Sequence, residues 1–209
     1  MIHKLILIII ISLFITFESY SQDLEEPHLY VFVGEKISVN KFEPELKEGQ
    51  ILMDAAYQAK YKVLDQVYND LEVDTLEFKA YDHFGDPAFS NFKHVLLYII
   101  ETVEGYFHEK YLYSPVYLTK NGDWAGPYSL SDYNHPNNQE ITIEPVLVDW
   151  EATPSFQYEN ASLEAINESF PAPYYKIKDK TVSAIYGNDI QELFLLKKNG
   201  YLKARGYFN

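Results

Sequence analysis

Apolar and polar positions alternate most regularly over residues 57–100, and that stretch predicts three successive strands. Tyr57, Ala59, Tyr61 and Val63 alternate with Gln58, Lys60 and Lys62. A period of two puts one apolar and one charged face on an extended chain, whereas helical spacing would scatter the same lysines around the cylinder. Residues 74–82 repeat the pattern, with Leu76, Phe78 and Ala80 on one side and Thr75, Glu77 and Lys79 on the other. Tyr68-Asn69-Asp70 between them is a polar turn. Residues 95–100 are apolar on both faces, which predicts a central strand covered on both sides. A short buried helix is the competing reading of such a run, and the strands around it favour the strand.

The flanking chain extends this picture. Residues 28–39 predict a first strand, interrupted at Gly34 as at a bulge or barrel bend. Residues 41–53, with Pro44 and Gly49, and 82–92, with Gly85 and Asp86-Pro87, predict loops. Val103-Glu104-Gly105 is a hairpin connection into a strand over 106–118, whose Pro115 suits a sheet edge. Residues 120–128 hold an Asn121-Gly122 turn, 129–139 are polar and loop-like, and 141–150 are strand-like but broken by Pro145. Residues 160–170 predict a helix capped by Asn160 or Ser162, with Leu163, Ile166 and Phe170 on one face and Pro171 at its end. Asn199-Gly200 between apolar runs predicts a terminal hairpin; a helix over 189–198 ended by Gly200 is the alternative.

The first four strands carry a family likeness. Val31-Phe32-Val33-Gly34-Glu35-Lys36-Ile37, then Tyr61-Lys62-Val63-Leu64-Asp65-Gln66-Val67-Tyr68-Asn69, then a third strand and Leu96-Leu97-Tyr98-Ile99 resemble the strands of netrin/TIMP-like domains, a version of the five-stranded OB barrel. The resemblance spans residues 29–118. It implies a barrel with binding grooves. Members of that family carry cysteines, and its inhibitors chelate protease zinc through an N-terminal cysteine. This chain has no cysteine, so protease inhibition is not implied. The expected fold is mainly β, α+β overall: an OB-like antiparallel β-barrel over 28–128, then a smaller C-terminal region, 140–209, with one helix and a β-hairpin, packed on the barrel.

The N-terminus stands apart from this pattern. His3 and Lys4 precede an apolar run over 5–17, broken by Ser12 and Thr16, and Ser19-Tyr20-Ser21 places small residues before Gln22. This is the three-part pattern of a signal peptide over 1–21, followed by a short linker, 22–27. The run is shorter than the ~20 residues of a membrane span, so no stable span is expected after cleavage; an uncleaved anchor is the alternative. Absence of cysteine removes disulfides, thiolate chemistry and lipid attachment at a lipobox. An exported chain without disulfides suits a bacterial periplasmic or secreted protein. The net charge of −14 repels phosphate backbones, so nucleic acid is not an expected partner.

Candidate chemistry is sparse. His83, His94 and His108 fall near strand ends and are the one candidate metal set, weighed against ordinary surface or hydrogen-bonded histidines. No G-x-S-x-G elbow, P-loop or G-x-G-x-x-G occurs, and no cofactor is expected. The candidate binding residues are Tyr106, Tyr111, Tyr113, Tyr117 and Trp124, followed by Tyr128 and Tyr133. On one strand Tyr111, Tyr113 and Tyr117 share a face, where rings stack on sugars or anchor a protein. They serve equally as strand filling. The expected function is a non-catalytic binding or interaction protein outside the cytoplasm, such as an inhibitor or immunity protein, with a protein or glycan partner. A hydrolase with a site assembled in three dimensions and a carbohydrate-binding module are the alternatives.

Overall fold

The computed structural model describes residues 28–45, 49 and 51–208; the expected signal peptide and linker, 1–27, lie outside them. Strands β1 (His28–Phe42), β2 (Ala55–Tyr68), β3 (Thr75–Asp82), β4 (His94–Thr102) and β5 (Gly105–Pro115) close into a barrel of order β1-β2-β3-β5-β4. Its pairings are antiparallel except for a parallel contact of β3 with β5 at Lys79 and Phe107. This is the OB arrangement, as expected. The alternation does the work: Tyr57, Ala59 and Tyr61, Leu76, Phe78 and Ala80, and Val95, Leu97 and Ile99 all turn inward around Phe32. Phe89, from a 3₁₀ turn over Ala88–Asn91 in the loop before β4, joins this core. Gly34 coincides with a register shift in β1, and a Cβ there would come within 3.0 Å of the Leu97 and Tyr61 side chains. A bulge at the closest approach of the barrel wall to its core is what that glycine provides.

The outer face of β1 and β4 is apolar as well. Leu29, Val31, Val33, Leu96 and Tyr98 form a second core with Ile190, Leu193, Phe194 and Leu202. The cover comes from the C-terminal region. This region contains β6 (Tyr117–Leu118), β7 (Trp124–Pro127), β8 (Val146–Leu147), β9 (Ser155–Gln157), β10 (Tyr175–Lys178), β11 (Thr181–Ala184) and β12 (Tyr186–Asp189), with helices α1 (Leu130–Tyr133), α2 (Leu163–Ser169) and α3 (Ile190–Lys197). The strands make one sheet of order β6-β7-β12-β8 and another of order β10-β11-β9. Trp124–Pro127 thus hydrogen-bonds to β12 rather than to the barrel. Helix α2 starts as expected: the Ser162 hydroxyl accepts from the Ala165 N–H at 3.2 Å, and Ile166 is buried.

Two expectations are corrected. Asn199-Gly200 makes no hairpin. Asp189 caps α3 by accepting from the Glu192 N–H at 2.8 Å, and the helix continues through a π-turn over Lys198–Leu202. Gly200 is there for close packing: a Cβ would sit 3.0 Å from Asn138 Nδ2 and 3.2 Å from the His135 ring. The hairpin of this region joins β10 to β11 through Asp179 and Lys180, with φ of +49° and +60°. Two left-handed residues in succession match the twist of the strands they connect. Residues 129–139 are also more than a loop, since α1 and a 3₁₀ turn over Pro136–Asn138 bury Asp132 and Asn138. Among the described residues no helix is long and apolar enough to cross a membrane.

Two substitutions test this packing. Leu193→Ala removes a side chain wedged between helix and barrel, and should cost about 3 kcal/mol in urea unfolding. A Cβ at Gly187 would lie 2.3 Å from the Gly126 carbonyl oxygen, which is backbone, whereas one at Gly34 meets side-chain ends at 3.0 Å. Gly187→Ala should therefore cost about 2 kcal/mol or more and exceed Gly34→Ala in the same assay. The reverse order would contradict the close antiparallel pairing of β7 and β12.

Candidate functional site

The three candidate histidines have separate partners. His83 Nδ1 lies 3.3 Å from Asp54, whose other oxygen accepts from Lys110 Nζ at 2.6 Å. The Lys110 bond holds the Asp54 carboxyl below its usual pKa, and His83 adds to the effect. His94 lies 3.7 Å from Glu35, with its ring edge-on to Trp124 at 4.8 Å. His108 packs against Phe89 and Phe78, with ring centroids 4.4 Å and 6.3 Å away. Its Nε2–H donates to the Leu112 carbonyl at 2.9 Å, which leaves the neutral tautomer with a bare Nδ1. Burial pushes its pKa down to about 3, and Arg205 contributes in the same direction. Among the described residues, no group of three or more His, Cys, Asp or Glu side chains is placed to hold a metal ion. The alternation that puts His108 indoors separates it from the other two.

The five candidate aromatic residues are also divided. Between the pairs Leu97–Tyr113 and Ile99–His108 the register shifts, so residues 109–112 bulge out of β5. Tyr111 sits in that bulge at φ +67°. The bulge breaks the alternation that would align Tyr111 with Tyr113 and Tyr117. It is tied down by the C-terminal tail: Glu109 pairs with Arg205 and accepts from the Tyr207 hydroxyl at 2.6 Å. Tyr106 packs edge-on to Tyr30 at 6.1 Å, and Trp124 packs on His94 and the second core. Only Tyr113 and Tyr117 come together, and they do so at a cavity.

This cavity, of about 780 Å³, lies between the Pro115 end of β5 and the sheet β10-β11-β9. Tyr113 and Phe92 line it from the barrel; Tyr117, Phe156, Phe170 and Tyr175 line it from the C-terminal region. Tyr128 forms part of the wall, stacked on Tyr174 at 3.8 Å and on Tyr133 at 4.8 Å. The Tyr175 hydroxyl donates to the Tyr128 carbonyl. Burial raises the phenols of Tyr113, Tyr117, Tyr128 and Tyr175, so all four are neutral at physiological pH. The other polar lining groups are the hydroxyls of Ser129, Ser131, Ser155 and Ser169 and the Asn134 amide. Among the described residues no charged side chain and no imidazole lines the cavity.

Beside it lies a buried polar knot. Lys197 Nζ is 2.6 Å from Asp132, with the two side chains 8% and 1% exposed. Asn138 Nδ2 donates to the carbonyls of Asp132 and Leu196, at 2.7 and 3.0 Å. Tyr133 donates to Asn188, which in turn donates to Glu192 at 3.0 Å. Burial, and then the nearby Asp132 carboxylate, push the Tyr98 phenol well above its ordinary pKa. The knot locks α1 and the 3₁₀ turn after it to α3, which positions Ser129 and Ser131 on the cavity wall.

Tyr113 and Tyr117 stand out along the sequence, whereas nothing local marks Phe92, Phe156, Phe170 and Tyr175 as their partners. Phe170 and Tyr175 flank a proline-broken segment, a local oddity that marks an irregular wall but not which wall it faces. Compared with known proteins, the chain has no significant match to any family model, curated protein or solved structure.

The two inward-shifted histidines generate a pH dependence. The pKa of His108 and that of His94 are both lowered by burial, from an ordinary value near 6.5. Below about pH 6.5 the unfolded chain binds protons that the folded chain does not, so stability falls as pH falls, by up to about 1.4 kcal/mol per pH unit for each such group. His108→Gln keeps a donor for the Leu112 carbonyl and does not titrate. Its urea midpoint should change less between pH 7 and pH 5 than that of the parent chain; an equal change would mean a solvated His108 ring.

Proposed function

We propose that this protein is a non-catalytic binding protein whose ligand seats in the aromatic cavity between barrel and C-terminal region. The observation that carries the reading is the lining itself: rings from both halves of the chain around about 780 Å³, with hydroxyls and one amide as the polar groups. A volume of that order suits a small molecule, and an apolar wall with a few fixed polar groups is what such sites have. Acid–base chemistry most often uses a carboxylate or imidazole, and a serine or tyrosine hydroxyl needs an adjacent base to become a nucleophile. Among the described residues the lining supplies neither a carboxylate nor an imidazole or other base to activate a hydroxyl, which favours retention over turnover. The same lining favours a compact apolar ligand over a glycan. Sugar platforms are open and coplanar, and here the exposed Tyr111 and Phe84 rings are tilted by 39°.

The apolar segment over 5–17 supports action outside the cytoplasm, in the periplasm or beyond. The OB strand order supports kinship in architecture with netrin/TIMP-like domains and carries no activity with it.

The test is a titration with Nile red, an uncharged apolar dye. One dye should bind per chain at micromolar concentration with a blue-shifted emission. Ser155→Trp, which fills the cavity from an exposed position, should weaken binding about tenfold or more without lowering the unfolding midpoint. A parent chain that leaves the dye unshifted would refute the cavity as a binding site.

A further inference from the structure

Among the described residues no charged side chain lines the aromatic cavity, yet it adjoins a charged cleft. Tyr113, Pro115, Ser129 and Ser131 line it and also line a second cleft of about 350 Å³. The charged side chains on that second cleft are Lys197 and Arg205, both cations. Their carboxylate partners, Asp132 and Glu109, are buried and do not line it. The cleft therefore faces the proton-bearing ends of two ion pairs and neither of their anionic ends.

Donors are left over on both. An ammonium has three N–H groups and a guanidinium five. Lys197 bonds Asp132 and lies 5.0 Å from the centre of the Tyr201 ring. Arg205 uses Nη1 for Glu109 and for the Lys110 carbonyl. Among the described residues its Nε and Nη2 have no partner. An anion placed there meets charge-assisted donors in surroundings that strengthen them. Because each cation already has one carboxylate, the cleft suits a single negative charge better than a doubly charged phosphate. A planar carboxylate also matches the guanidinium fork.

We propose that the ligand is an amphiphilic carboxylic acid. Its apolar body fills the aromatic cavity, and its carboxylate reaches over the shared rim of Tyr113, Pro115, Ser129 and Ser131 to Lys197 and Arg205. This deepens the binding reading above and rests on it. The net charge of −14 slows an anion's approach, so affinity comes from the buried apolar body and the local donors rather than from steering.

The experiment is calorimetric titration of the full chain with decanoate and with decan-1-ol, which share a tail and differ in the head. Decanoate should bind about tenfold tighter or more, and added salt should shrink the difference. Arg205→Gln, made together with Glu109→Gln so that no carboxylate is stranded, should bring decanoate to the level of the alcohol and leave the alcohol unchanged. Lys197→Met alone strands Asp132 in the interior, so the second variant is Asp132→Asn with Lys197→Met, checked by circular dichroism. It should have the same selective effect. Equal affinity for acid and alcohol, or equal loss of both in the variant with Arg205→Gln and Glu109→Gln, would overturn the carboxylate assignment and leave the cavity reading standing. Nile red binding without either decyl compound would do the same. Failure of all three ligands would overturn both readings.

Discussion

Strands β1 and β4 are apolar on both faces, and the rest of the molecule follows from that constraint. Phe32, Val95, Leu97 and Ile99 fill the barrel, while Val31, Val33, Leu96 and Tyr98 on the same two strands point outward and are fully buried. A barrel alone would leave that outer face in water. Each such side chain is worth about 1.5–3 kcal/mol on burial, so a cover is obligatory for stability. Helix α3 is the cover. Its Ile190, Leu193 and Phe194 pack on the barrel's outer face, the helix also touches β7 and β12, and Gln191 and Leu195 remain exposed. Leu193, which would meet a Cβ at Gly126 at 2.7 Å, marks how closely helix and sheet approach.

Docking one region on another creates the site. The barrel's β5 ends at Pro115, and the chain turns there into the small sheets and α1. The hollow between them is roofed by residues whose neighbours are committed elsewhere: Tyr128 to its stacked tyrosines, Tyr175 to the Tyr128 carbonyl. Charge is kept out of the hollow and collected at its margin. The Asp132–Lys197 pair is poor evidence for stability, because desolvating two charges offsets much of their attraction. Its better-supported role is geometric. The buried carboxylate holds α1 against α3, and Lys197 lies on the wall of the smaller cleft. The β5 bulge is held in the same way, with Glu109 drawn to Arg205 and Tyr207.

Much of the fold was legible along the chain. Strands with strict alternation, 57–64 and 74–82, were readable because each has one neighbouring face to satisfy. The two-sided burial of 95–100 was readable for the converse reason. Gly34 announced its bulge, and Ser162 its helix. Local pattern is ambiguous where a residue type has two uses. Asn199-Gly200 is a turn signal when the glycine supplies backbone freedom, but here the glycine supplies space, and no local pattern distinguishes those needs. The Asp132 and Asn138 stretch looked like loop because its polar residues pair with partners 65 and 58 residues away. The bulge that removes Tyr111 from the face of Tyr113 is set by Arg205 and Tyr207, nearly a hundred positions later.

The amino-acid sequence by itself determined that the chain folds as a mainly β protein with an OB-like barrel and that no cysteine chemistry is available to it. These are consequences of period, composition and side-chain type, all of which are local or additive. The tertiary structure alone decided which rings meet, that the three histidines do not, and that two lysine and arginine donors stand at the margin of an uncharged cavity. Those outcomes depend on docking an outer barrel face against a helix some hundred residues distant. Such contacts are set by shape and by pairing of buried charges, and neither has a period that can be read along a chain.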